Sequence, residues 1–79
     1  MKKALAYILS SIVDNPDKVK INEEEENGMT NLTIKVDSGD MGKVIGKNGK
    51  VIRAIRNVMK VKAIKQNKRI NIELAESST

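Results

Sequence analysis

The stretch Asp40-Met41-Gly42-Lys43-Val44-Ile45-Gly46-Lys47-Asn48-Gly49-Lys50-Val51-Ile52 constrains this chain more than any other. Two apolar pairs, Val44-Ile45 and Val51-Ile52, flank Gly46-Lys47-Asn48-Gly49-Lys50, in which two glycines bracket Lys47-Asn48. The first pair ends a short helical turn and the second starts a longer helix. Glycine takes positive φ without a Cβ penalty and lets another backbone come close. Gly46 suits the position that terminates a helix, and Gly49 suits the start of the next one. The fold must therefore join two helices through a short loop that offers backbone amides, the Lys47 cation and a helix N-terminus. That combination attracts phosphate.

Charge points the same way. Residues 40–69 hold ten basic side chains and one acid, Asp40, so this window carries +9 in a chain of net charge +5, and the remainder carries −4. Segregation of this kind suits a polyanion on one side of the molecule. Seventy-nine residues make one domain over residues 1–79, with 76–79 expected as a frayed tail. A chain of this size buries roughly 60% of its unfolded surface. Cysteine and histidine are both absent. That removes disulfides, thiolate metal sites, and the residues of Ser-His and Cys-His catalysis. No catalytic residues, metal ligands or cofactors are expected.

The rest of the chain reads in order. Leu5, Ile8, Leu9 and Ile12 recur at helical spacing, so residues 2–13 form a helix that Asn15-Pro16 stops. Its apolar run resembles a signal peptide only superficially, because Ser10 and Ser11 interrupt it and no A-x-A site follows. The protein is expected to be cytoplasmic, with no membrane association. Tyr7, the single aromatic residue, points away from the apolar stripe. Residues 18–26 read as a strand, with Val19 and Ile21 inward and the run Glu23 to Glu26 as a solvated edge. Asn27-Gly28 is a strong hairpin signal. Residues 30–37 return with Leu32, Ile34 and Val36 inward. Asp40 or Ser38 can cap a short helix at 41–45. Gly42 inside that helix costs about 1 kcal/mol against alanine, which close approach of the next helix or of a nucleic-acid backbone would justify. A long helix runs from about Lys50 to Ala63, with Val51, Ile52, Ile55, Val58 and Met59 toward the core and Lys50, Arg53, Asn57 and Lys60 along another face. Gln66-Asn67 closes a turn before a last strand at 69–75. The fold class is α+β, order α-β-β-α-α-β. A hairpin and a right-handed two-helix crossover give a three-stranded mixed sheet with helices on one face.

A second stripe on the long helix, Ala54, Asn57, Val61 and Ile64, falls on one line. The first reading is that the helix ends near Lys60 and that Val61 and Ile64 tuck under the last loop. The alternative is a seam between two copies in a two-fold dimer.

The segment Val44-Ile45-Gly46-Lys47-Asn48-Gly49-Lys50-Val51-Ile52 matches the V-I-G-x-x-G-x-x-I core of K-homology (KH) domains. With Asp40-Met41-Gly42 before it, the chain resembles small bacterial single-KH-domain RNA-binding proteins over nearly its whole length. The resemblance implies the type II KH fold, in agreement with the element order. It also implies single-stranded RNA binding, with the loop clamping about four nucleotides. Carried onto this chain, the RNA-binding residues are Gly46, Lys47, Asn48, Gly49, Lys50 and Arg53, with Val44, Ile45 and Ile52 supporting the groove or simply packing the core. The resemblance further implies an RNA chaperone or post-transcriptional regulator. Such proteins form homodimers, pair with a larger KH-containing protein, and are associated with cell-wall biogenesis and cell shape.

Other classes fit less well. A P-loop needs G-x-x-x-x-G-K-[ST]. Gly42 to Lys47 is one residue short of that, and Asn48 stands where a hydroxyl should hold magnesium. Platforms that stack bases on aromatic rings are not available to a chain with one tyrosine and no Phe or Trp. Single-stranded DNA binding and a protein–protein assembly module remain as alternatives.

Overall fold

Asn27 and Gly28 both take positive φ, 54° and 78°. This pair of values matches the right-handed twist of two flanking strands and folds β1 (Lys20–Glu26) onto β2 (Met29–Lys35). The computed structural model describes residues 2–75, so the tail expected at 76–79 lies outside them. Before the hairpin comes α1 (Lys2–Ile12). After it come α2 (Met41–Ile45), α3 (Lys50–Lys65) and β3 (Arg69–Leu74). The sheet order is β1-β2-β3, antiparallel between β1 and β2 and parallel between β2 and β3.

Register determines which side is the core. Ile21 pairs with Ile34, Leu32 with Ile72, and Ile34 with Leu74, so the alternate apolar residues of all three strands share one face. Leu5 and Leu9 of α1, Val44 of α2, and Ile52, Ile55 and Met59 of α3 pack against that face. The three helices thus form one layer over one sheet face, as type II KH topology requires. The acidic run of β1 is exposed throughout, and Tyr7 is 77% exposed.

Several boundaries differ from expectation. β1 begins at Lys20 rather than 18, because Pro16–Lys18 forms a 3-10 turn closed by Lys18 N–H to Asn15 O and Val19 N–H to Pro16 O. β2 ends at Lys35, since Asp37 starts another tight turn over Ser38–Asp40. α3 continues two residues past Ala63. Its end is built by Asn67 at φ 55°, with Asn67 N–H donating to Ile64 O and Lys68 N–H to Ala63 O. This paired arrangement satisfies the last carbonyls of a helix, and asparagine tolerates the left-handed conformation it needs.

The extension overturns the first reading of the second stripe. Val61 and Ile64 do not tuck under the last loop; they are helical and 55% and 69% exposed. Val58 is corrected too, being 55% exposed rather than in the core. At about 100° per residue, it lies too far around α3 from the Ile52, Ile55, Met59 and Ala63 sector to reach the sheet.

Candidate nucleic-acid interface

α2 ends and α3 begins within four residues, and the backbone between them is sharply shaped. Gly46 sits at φ 75°, ψ 174°, and its N–H closes α2 onto Gly42 O. Asn48 and Gly49 follow in the left-handed region, at φ 57° and 74°. Gly49 N–H donates to Gly46 O, Lys50 N–H to Lys47 O, and the Arg53 guanidinium to Asn48 O at 3.2 Å. The loop is therefore held from inside. The amides of Lys47 and Asn48 have no acceptor among the described residues. No side chain caps α3. Two free amides, the Lys47 ammonium and an uncapped helix N-terminus meet on an exposed surface, which is the chemistry that holds an anion.

The glycines have separate reasons. A Cβ on Gly46 would lie 2.3 Å from Val51 Cγ2 and 2.8 Å from Val51 Cβ and N. Its bareness thus lets the end of α2 pack against Val51 at the start of α3. A Cβ on Gly49 would meet only the Arg53 Nη2 atom, at 3.8 Å, so that position faces open space and is restricted by its φ alone. A Cβ on Gly42 would meet nothing within 4 Å. The next helix does not approach it, which removes one of the two reasons considered for that glycine.

The flanking residues divide by burial. Val44 is fully buried and Ile52 nearly so, and both are core. Ile45 is 38% exposed beside the loop. Val44 thus supports the loop from beneath without a surface for a ligand. Along α3, Arg53, Arg56, Asn57 and Lys60 face Ile70, Asn71 and Ile72 of β3 across a cavity of about 210 Å3. Arg56 Nε–H donates to Ile72 O at 3.2 Å and fixes that wall. Asn57, placed from its spacing both on the basic face and in the seam, lines this groove. Lys50, expected on the basic face, instead borders an apolar trough of about 490 Å3 with Ile8, Ile12, Val51, Ala54 and Val58. Among the described residues none of Lys47, Arg53, Arg56 and Lys60 has a carboxylate within ion-pair distance.

Asp40 has a role that the sequence reading missed. It does not cap α2; Asp37 accepts Gly39 N–H in the turn before that helix, where Asp40 or Ser38 had been expected to act. The buried Asp40 carboxylate accepts the N–H groups of Asp14 and Asn15 at 3.2 and 3.0 Å and the Asn15 side chain at 3.3 Å. It ties the end of α1 to the start of α2. Burial by itself would push this carboxyl up. The amides of Asp14 and Asn15, the Asn15 side chain and nearby Lys43 outweigh that and hold it below the usual carboxylate range. Lys43 donates to Asp14, which raises its pKa against the opposing effect of burial, with the Asp14 and Asp40 charges adding to the rise. One lysine of the basic window is therefore committed to the fold. The signal was in the sequence, since Asp40 is the single acid among ten bases.

No helix among the described residues is long and apolar enough to cross a membrane, and no three His, Cys, Asp or Glu side chains converge there on a metal site.

Residues 2–74 match the family model described as "KhpA/KhpB, KH domain". Similar proteins each carry the name RNA-binding protein KhpA. One from Clostridium acetobutylicum is 46% identical over 74 residues, covering 94% of this chain and 99% of the relative. One from Clostridium perfringens is 45% identical with the same coverage. One from Chlamydia trachomatis is 37% identical over 76 residues, covering 96% of this chain and 97% of the relative. With the helix–loop–helix geometry and the one-sided helix layer in place, this chain belongs to the KhpA/KhpB KH-domain family.

Proposed function

We propose that the chain binds single-stranded RNA through the Gly46-Lys47-Asn48-Gly49 loop and the α3/β3 groove beside it. The observation that carries this reading is the pair of unpartnered amides at Lys47 and Asn48, placed at the uncapped start of α3. A phosphate seated there takes both amides and the Lys47 ammonium. The strand then continues along Arg53, Arg56, Asn57 and Lys60, with Ile45 and Ile70 as apolar surfaces for bases. The open face of α2 at Gly42 leaves room for the sugar-phosphate backbone. The RNA-binding names of the relatives support the ligand class. The role is one of binding, as an RNA chaperone or post-transcriptional regulator in the cytoplasm, acting with a larger KH-containing partner.

Self-association is part of the same reading. Val58, Val61 and Ile64 stand exposed on a helix continuous to Lys65, beside the apolar trough that includes Ala54. Two copies meeting through α3 would bring two loops onto one RNA and raise avidity without a new RNA contact.

The test is Lys47→Asp with Asn48→Asp, which puts two anions where phosphate sits. Both side chains are exposed, so the fold persists and affinity for single-stranded RNA falls sharply in an anisotropy assay. A few phosphate contacts give a slope of roughly −1.5 to −3 in log K against log salt, and duplex RNA competes poorly. Unchanged affinity of the double variant, or a preference for duplex, overturns the reading.

A further inference from the structure

The helix layer leaves the other sheet face open, and that face carries charge that the glycine loop does not use. At one end of that face the outward positions of β1 and β2 pair in register as Lys20 with Lys35 and Asn22 with Thr33, and toward the hairpin turn follow Glu24 with Asn31 and Glu26 with Met29. Like charges directly opposite on one sheet face destabilise a hairpin. Neither ammonium has a carboxylate within 4.0 Å, since the ion pairs among the described residues are those of Lys43 with Asp14 and Asp40. Glu73, in register with Thr33 on β3, accepts from Asn71 and leaves Lys35 unpaired. Lys2, at the start of α1, joins Lys20 and Lys35 around an open cavity of about 760 Å3, with the amide of Asn22 and the hydroxyl of Thr33 between them. Val19 and Ile21 complete the lining, which includes no carboxylate, and the Asn22 amide donates to Glu24 on the adjoining part of the same face at 3.4 Å.

We propose that this lysine-lined cavity is a second contact for the phosphodiester backbone of RNA, taking the segment that continues beyond the one held at the glycine loop. The proposal rests on the reading of the chain as RNA-binding. An anion between Lys20 and Lys35 turns their mutual repulsion into shared attraction, which gives a hairpin reason to keep them opposed. Position allows it. The turn at Gln66–Lys68 sends β3 back antiparallel to α3, and Arg56 in mid-helix meets Ile72. The glycine loop at the start of α3 therefore lies toward the same end of the sheet as Leu74, Ile34 and the Lys20–Lys35 pair. β1 and β3 are opposite edges, about 10 Å apart across β2. A strand leaving the loop rounds that end of the sheet to reach the lysines.

The test compares a uridine RNA of about 4 nucleotides, the length one KH groove holds, with one of about 15, using the full chain and the variant Lys20→Thr with Lys35→Thr. Each phosphate contact contributes about 0.7 to the salt slope on single strands, so losing two makes the slope shallower by about 1.4 and weakens binding about tenfold at 0.15 M salt. The expected result is that loss on the long RNA, no change on the short RNA, a melting temperature equal to or above the wild type, and recovery in Lys20→Arg with Lys35→Arg. Unchanged affinity and slope on the long RNA overturns the proposal, as does an equal loss on the short one. The loop is read separately by the Lys47→Asp, Asn48→Asp variant on the short RNA. A failure there removes the loop reading and leaves the lysine result on the long RNA interpretable.

Discussion

Replacing Gly46 and Gly49 one at a time by alanine separates two glycines that look equivalent in the sequence. At Gly46 the new methyl would overlap Val51 at 2.3 Å from Cγ2 and 2.8 Å from Cβ and the backbone N. Backbone at 2.8 Å cannot swing aside, so either α3 shifts or the loop opens. Forced overpacking costs about 1–3 kcal/mol. The backbone at φ 75°, ψ 174° is a region used almost only by glycine and adds about 1–3 kcal/mol. The sum is about 2–6 kcal/mol in a domain whose whole stability, scaled by length, is about 4–12 kcal/mol. At Gly49 the methyl has space, and the left-handed backbone costs alanine about 1 kcal/mol. In a domain of this size about 1 kcal/mol moves the melting temperature by roughly 4–8 °C. Thermal melts followed by far-ultraviolet circular dichroism should therefore show Gly49→Ala folded and lowered by several degrees. Gly46→Ala should be lowered by at least twice as much or unfolded. A Gly46→Ala protein that melts with the wild type would refute the packing argument.

Three further outcomes follow from the same geometry. Gly42→Ala meets no neighbour and gains about 1 kcal/mol of helix propensity, so its urea midpoint should rise while single-stranded RNA binds more weakly; unchanged RNA affinity would show that the open face of α2 is not used. Val61→Asp with Ile64→Asp changes two exposed residues, where substitutions usually cost within about 0.5 kcal/mol, so the variant should be a folded monomer that binds RNA less tightly, and wild-type protein sedimenting as a monomer at micromolar concentration would dispose of the seam. Asp40 titrates below its ordinary value in the folded state, so its stabilisation is complete above about pH 4 and is lost as pH falls through the lowered value; Asp40→Asn should be less stable than wild type at pH 7, and the gap in urea midpoint should narrow by pH 3, whereas a constant gap would mean that the charge of Asp40 does not contribute.

What the sequence showed and what it hid follow from the range of the interactions. The Asn27-Gly28 hairpin, the short helix at 41–45 and the helix-ending Gly46 depend on residues within a turn of each other, and all three were legible. So was the inward parity of Leu32, Ile34 and Val36, because strand alternation has a period of two. Asp40 misled because its partners, Asp14 and Asn15, stand 25 or more residues away, while the nearer use as a helix cap looked sufficient. Val58 misled because an apolar residue beside Met59 reads as core until the width of the buried sector is known. The closeness of Gly46 to Val51 was not legible, since a spacing cannot show which neighbour comes close. The groove residues Arg56, Ile70 and Asn71 escaped notice because they face each other only after α3 doubles back over β3. The end of α3 was two residues later than expected, although Asn67 in the left-handed conformation is a recognised helix terminator.

The most direct test of the account is a titration of 15N-labelled protein with a single-stranded RNA of about 4 nucleotides, followed amide by amide in two-dimensional NMR spectra. The largest shifts should fall on Lys47 and Asn48, whose N–H groups have no acceptor among the described residues, with a second set along Arg53, Arg56, Asn57 and Ile72 lining the groove. Shifts concentrated on α1 or on the acidic strand β1, with Lys47 and Asn48 unmoved at saturation, would contradict it.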